Sequence, residues 1–259
     1  MRDNQKNWKN EYGRPEKDTY LQEIDNYWWK QCYDEIENFV IKKIPLIKDW
    51  EIAECGSGSG NSSLRMSKRV KKITLVDSSK NALEYSKKLA KIYNADNVEY
   101  ALADIFNAPF PDGSFDFCWN VGVIEHYKLA EAEKILREMI RITKDGGFIC
   151  VGVPNFNSLP ILKAKILSSK FGLKFLPRAK GYRLQDERRN DENQIKQMLA
   201  KACDENGASI TQLNIGYAGS VLPVETPKII FKTLNGLCNQ IFKQKSFLIM
   251  LSAKINKNI

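Results

Sequence analysis

Between Trp50 and Pro154, five short apolar runs alternate with amphipathic stretches, and this rhythm is the strongest constraint on the fold. A chain that returns to an apolar strand after each helix builds a mostly parallel sheet with helices on both faces. Strands are expected near Trp50–Cys55, Ile73–Val76, Val98–Ala103, Phe115–Asn120 and Phe148–Val153. Helices are expected from Ser62–Ser67, over Lys80–Tyr93 and over Ala130–Ile142. In the last of these, Ile135, Leu136, Met139 and Ile140 fall on one face. Lys144-Asp145-Gly146-Gly147 follows it as a turn expected to stop the helix, because glycine tolerates positive φ.

Past Pro154 the rhythm breaks. Residues 155–190 form a long basic stretch before an expected helix at Glu192–Glu205 and a strand at Ile210–Ile215. A second interruption, 216–245, precedes a last strand at Ser246–Ile255. Insertions of this length in a compact domain usually carry function or their own helices. Residues 1–45 read as an N-terminal helical cap, helical from about Thr19, and 46–259 as the main domain. The aromatic residues Trp8, Tyr12, Tyr20, Tyr27, Trp28 and Trp29 either pack that cap onto the sheet edge or close over a ligand.

Composition narrows the function classes. No apolar run approaches the roughly 20 residues of a membrane helix, and the polar start Met1–Lys6 does not read as a secretory signal, so a cytoplasmic protein is expected. The six cysteines contain no CxxC pair, which argues against a disulfide framework and a thiolate metal site. The single histidine, His126, excludes a multi-histidine metal site within one chain, and no metal is expected. A net charge of +9 keeps a nucleic-acid partner open without favouring it, because most lysines alternate with acids along helices.

The chemistry concentrates at strand ends. Glu54-Cys55-Gly56-Ser57-Gly58-Ser59-Gly60 closes the first strand and leads into a helix. Glycines there let the chain turn sharply and let a ligand lie against the main chain. The spacing is GxGxG, not the GxGxxG that cradles a dinucleotide pyrophosphate, and the carboxylate of Glu54 would repel one. Glu54 suits the ammonium of an amino-acid-bearing nucleoside instead. Asp77, next to Ser78 at the end of the second strand, stands where an open α/β sheet places an acid for two ribose hydroxyls, or else caps the next helix. Asp104 ends the third strand and can accept an exocyclic adenine amine while Ile105 packs on the ring.

These segments, with Pro109–Asp116, Asn120–His126 and Arg141–Gly147, resemble the ordered motifs of class I S-adenosylmethionine-dependent methyltransferases. The likeness is to the broad branch that includes ubiquinone- and menaquinone-pathway and many small-molecule enzymes, and it covers Trp50 to Pro154 most closely. It implies a Rossmann-like, seven-stranded, mostly parallel sheet, S-adenosyl-L-methionine as cofactor and S-adenosyl-L-homocysteine as product. It further implies that Gly56, Ser57, Gly58 and Gly60 contact the methionine and ribose parts. Asp77 and Ser78 would meet the ribose, Asp104 and Ile105 the adenine, and Asn120 and Val121 the methionine near the sulfonium. The two insertions would form the acceptor pocket or its lid.

Glu125-His126 lies just past the fourth strand, on the acceptor side. A histidine titrates near ~6.5, which suits a general base, although both residues could simply organise the loop. The expected reaction is methyl transfer to an O, N or C nucleophile of a small molecule. RNA or protein methylation through the basic insertion, and an inactive cofactor-binding partner subunit, are the alternatives. Against the first, Asn120-Val121-Gly122-Val123 stands where many amino-methylating enzymes carry an NPPY-like tetrapeptide.

Overall fold

The computed structural model describes residues 26–169, 174, 184 and 186–257. The expectations placed on Trp8, Tyr12 and Tyr20, and on the start of the cap helix near Thr19, lie outside these residues. In chain order the elements are α1 (Tyr27–Lys43), β1 (Glu51–Cys55), α2 (Asn61–Arg65), β2 (Lys72–Asp77), α3 (Lys80–Ile92), β3 (Val98–Leu102) and β4 (Phe115–Val121). Then follow α4 (Leu129–Ile142), β5 (Thr143–Pro154), α5 (Leu159–Ser168), α6 (Glu192–Asp204), β6 (Ala208–Ala218), α7 (Lys228–Ile241) and β7 (Leu248–Lys257).

The strands form one seven-stranded sheet in the order β3-β2-β1-β4-β5-β7-β6. The first five run parallel, and β7 enters antiparallel between β5 and β6. The two-residue period of a strand divides the core in two. Ala53, Cys55, Val76, Cys118 and Val151 face α4 and α6, where Ile135, Leu136, Met139 and Met198 are buried. Ile52, Leu75, Phe117 and Trp119 face the other way, onto α1, α2 and α3. The strand order reverses beside β1, so β1 and β4 diverge from a common crevice at their carboxyl ends, where ligands of open α/β sheets bind.

The turn after α4 departs from the sequence expectation. The helix ends at Ile142, where the hydroxyl of Thr143 donates to the carbonyl of Met139 at 2.7 Å and Thr143 is already extended. Lys144–Gly147 is a bulge inside β5: Phe115 pairs with Thr143, but Phe117 pairs with Phe148. Its glycines serve that bulge. Gly146 has φ +69°, and a Cβ on Gly147 would stand 2.9 Å from the carbonyl of Lys144.

Neither insertion is a plain loop. Residues 155–190 contain α5, and β6 runs through Gly216 to Ala218 before α7 begins at Lys228. The aromatic cap residues divide their roles. Trp28 is fully buried, with its indole N–H donating to the carbonyl of Leu222 at 2.7 Å, while Tyr27 packs on Phe231.

Candidate active site

The glycine turn is built by β2. The N–H groups of Gly56 and Ser57 both donate to the carbonyl of Val76, at 2.8 and 2.9 Å. Gly56, Gly58 and Gly60 all hold positive φ, at +74°, +52° and +67°. A Cβ on Gly56 would meet the Val123 side chain at 3.0 Å, and one on Gly60 would strike Leu75 at 2.4 Å. The turn leads into α2, which is only five residues long.

Asp77 is not a helix cap. Ser79 caps α3, accepting from the N–H of Ala82 at 3.3 Å. The carboxylate of Asp77 accepts from the N–H of Gly58 on one oxygen and of Ser79 on the other, each at 2.8 Å. Burial pushes its pKa up, and the backbone N–H groups of Ser79, Gly58 and Ser78 pull against that. Each carboxylate oxygen keeps further acceptor capacity for a ligand hydroxyl.

These groups edge a cavity of about 350 Å³ at the carboxyl ends of β1, β2 and β4. Of the residues anticipated from the sequence, Glu54, Gly56, Ser57, Gly58, Asp77, Ser78, Asp104, Ile105, Val121, Glu125 and His126 all line it. Gly60 and Asn120 do not. Gly60 instead permits the close packing of Leu75, and the fully buried amide of Asn120 donates to the sulfur of Met139 at 3.1 Å. Asp104 is solvent-exposed, with one carboxylate oxygen taken by the N–H of Phe106 at 3.0 Å.

Two buried carboxyls set the electrostatics. Glu54 is 5% exposed and its pKa is pushed up to about 7, first by burial, with hydrogen bonds from Ser63 opposing and the charge of Asp77 adding. Its Oε2 atom has no hydrogen-bond partner. A buried carboxyl oxygen without a donor costs free energy unless a ligand supplies one. Glu125 is likewise raised to about 7 by burial, with His126 lowering it and Glu187 and Asp186 raising it. His126 Nδ1 stands 2.7 Å from the carboxylate of Asp186.

Another part of the lining is apolar, and it includes Trp29, one of the aromatic residues expected either to pack the cap or to close over a ligand. Trp29, Cys32, Tyr33 and Ile36 of α1 line the cavity together with Phe247 and Leu248, and the rings of Trp29 and Phe247 meet edge to face at 6.3 Å between centroids. Asp186 and Glu187 were missed, although a signal existed: they are the only acids between Asn155 and Asn190.

The fold and this crevice define an α/β domain whose cavity, with its glycine turn and carboxyls, suits an amino-acid-bearing nucleoside. Residues 53–151 match the family described as a methyltransferase domain. The chain is 27% identical over 158 residues to the ubiquinone/menaquinone biosynthesis C-methyltransferase of Rickettsia massiliae, covering 52% of this chain and 62% of that one. It is 28% identical over 109 residues to ajmaline N-methyltransferase of Rauvolfia serpentina, covering 41% and 37%. The chain thus spans less than two thirds of either relative's length. A solved S-adenosylmethionine-dependent methyltransferase from Aquifex aeolicus shares the fold, with a TM-score of 0.57 at 16% identity over 91% of this chain and 96% of that one. Residues 53–151 thus match a methyltransferase domain, and the cofactor named for the solved structure that shares the fold is S-adenosylmethionine.

The residues present fit that cofactor. Glu54 holds an orphaned acceptor where an ammonium would sit, Gly56 and Gly58 line the cavity with backbone alone, and Asp77 keeps capacity for hydroxyls. Ile105, 7% exposed, offers an apolar face for a purine ring.

Proposed function

We propose that the chain transfers the methyl group of S-adenosylmethionine to a nucleophilic O, N or C atom of a small acceptor with an apolar body. The observation that carries this reading is that one cavity has two kinds of lining. Glu54, the glycine turn and Asp77 supply cofactor-type polar groups, and Trp29, Tyr33, Ile36, Phe247 and Leu248 supply an apolar surface. An acceptor that buries an aromatic or aliphatic body there gains about 25 cal/mol per Å² of apolar surface. The relatives named above are a C-methyltransferase and an N-methyltransferase, and their acceptors are small molecules by name.

When bound, the cofactor supplies an electrophilic methyl on a sulfonium. The residues of the chain align and deprotonate the acceptor. Holding nucleophile and methyl in line accounts for most of the acceleration expected of such a site. His126 is assigned as the base. The carboxylate of Asp186 accepts from Nδ1–H and so leaves the lone pair on Nε2, the arrangement in which a carboxylate orients a histidine base. Glu125, buried beside it with its pKa near 7, limits the charge around the acceptor and can hold a proton at neutral pH.

Calorimetric titration with S-adenosylhomocysteine tests the cofactor half. Micromolar binding by the wild type, weakened about tenfold or more in Asp77→Ala, supports the assignment. A folded wild type that binds nothing would remove its basis. Radiolabelled methyl transfer to a panel of quinols, phenols and aromatic amines then tests the acceptor half.

A further inference from the structure

Helix α7 is turned inside out. The side chains it buries against the domain are Phe231, Asn235 and Asn239. The asparagines are there because the loop after β6 needs them: Asn235 accepts from the hydroxyl of Ser220 at 2.6 Å, and Asn239 from the N–H of Val221 at 3.0 Å. The aliphatic residues are consequently directed away from the core. Ile230, Leu234, Leu237 and Ile241, at the spacing of one helical stripe, are 45%, 46%, 56% and 61% exposed. Ile229 and Phe242 extend the same apolar surface at 80% and 53%.

Helix α5 repeats the arrangement. It buries Ile161, Ala164 and Leu167, yet its outer face presents Leu159, Leu162 and Ile166, each between 44% and 51% exposed. The two helices belong to one region. Asn155, just before α5, donates to the carbonyls of Gln244 and Ser246, just after α7, at 2.9 Å each. Lys163 of α5 pairs with Glu225, just before α7. Pro154 and Phe247, which adjoin these contacts, line the active-site cavity.

Charge selects what meets this surface. Among the described residues, 155–190 hold five lysines and arginines against two acids and 216–245 hold four against one, a surplus of six. Lys165, Lys228, Lys232 and Lys245 are exposed on or beside the two helices. Nucleic acid accounts for the charge but not for the stripes, because RNA is met by aromatic rings and guanidinium planes rather than by leucine and isoleucine. A second copy of this chain accounts for the stripes but brings the same positive charge to meet itself. Aliphatic side chains ringed by lysine match the boundary between acyl chains and anionic headgroups.

We propose that α5 and α7 dock the protein on the surface of an anionic phospholipid bilayer, with the cavity beside the contact. No described helix is long and apolar enough to cross a membrane, and none needs to. Lysines near an anionic surface attract it from a distance, and the stripes then fix the protein there. Docking stands apart from the methyl-transfer reading, since neither helix supplies a cofactor contact.

The test is flotation of the full-length protein with phosphatidylcholine vesicles that contain phosphatidylglycerol, against vesicles of phosphatidylcholine alone. Binding is expected only to the anionic vesicles. It should fall about tenfold or more both in Leu237→Asp/Ile241→Asp and in Lys228→Gln/Lys232→Gln. S-adenosylhomocysteine titration of each variant reports folding and should be unchanged; if the aspartate pair loses it, Leu162→Asp on α5 replaces that pair. The proposal is overturned if the wild type ignores anionic vesicles or if the aspartate variant still binds them. It also fails if the aspartate variant dissolves a stable solution dimer, or if RNA binds in place of the vesicles and depends on the same lysines. A wild type that floats but does not bind S-adenosylhomocysteine would count against the methyltransferase reading and leave the docking intact.

Discussion

The backbone N–H of Gly58 donates to Asp77 Oδ2 at 2.8 Å, so the glycine turn after β1 and the acid at the end of β2 form one unit. Asp77 therefore acts twice: it positions the turn and presents oxygens to the cavity.

Replacing Asp77 separates those roles. Hydrogen bonds to a charged group contribute about 1.5–3 kcal/mol each, and Asp77→Ala removes two from the backbone along with any to a ligand. Binding of S-adenosylhomocysteine should weaken at least about tenfold, and the apo protein should also melt earlier. Asp77→Asn keeps one acceptor oxygen and so restores part of the stability while still losing affinity. Differential scanning calorimetry with and without ligand reads both effects. A stability loss with unchanged affinity would confine Asp77 to a structural role.

Glu54 makes the site sensitive to pH. In the folded apo protein burial raises its carboxyl from 4.5 to about 7, so the folded state holds that proton more tightly than the unfolded chain does. The corresponding stability is complete below about pH 4.5 and is lost as pH climbs toward 7. An ammonium ligand favours the ionised form and must displace the proton below pH 7. At pH 6 the binding enthalpy of S-adenosylhomocysteine should then vary with the ionisation heat of the buffer, and affinity should improve as pH rises to 8. Glu54→Gln should abolish the buffer dependence and weaken binding about tenfold. An enthalpy indifferent to buffer would place the ammonium elsewhere.

How legible all this was in the sequence depended on distance along the chain. The order of strands and the cofactor edge were readable because each strand, its turn and its acid are local: Val76-Asp77 announces itself within a few residues. Element ends were less so, and Lys144–Gly147 shows why. Glycines that suit a helix stop suit a β-bulge equally, and only the pairing of Phe115 with Thr143 decides between them. The apolar wall was legible only in part: Trp29 carried a ligand-closing alternative, but its meeting with Phe247, more than 200 residues on, is settled by the tertiary fold alone. The resemblance implied a ligand contact for Gly60, yet the nearest neighbour of a Cβ there would be Leu75 of β2, a residue no local pattern could supply.

That neighbour makes Gly60 a packing residue. At φ +67°, an alanine there suffers the left-handed penalty of about 1–2 kcal/mol, and its Cβ would lie 2.4 Å from Leu75 Cδ1, which must move at a further cost of about 1–3 kcal/mol. Gly60→Ala should lower stability in urea unfolding by about 2–5 kcal/mol. Combining it with Leu75→Val, which withdraws the clashing methyl, should recover part of the loss. No recovery would point to backbone strain alone.

His126 and Asp186 give the last prediction. If Asp186 orients the imidazole, its removal should alter the base more than cofactor binding. His126→Ala should lower kcat by about 10²–10⁴-fold, the range of general-base catalysis, with S-adenosylhomocysteine affinity unchanged. Asp186→Asn keeps the shape but offers no carboxylate to Nδ1–H. It should reduce kcat less than His126→Ala does, because the imidazole remains but loses the partner that orients it. Both measurements use whichever acceptor the labelled-methyl panel identifies. A kcat that survives His126→Ala within about threefold would assign the acceleration to alignment alone, and a fall in cofactor affinity instead would make His126 part of the binding wall.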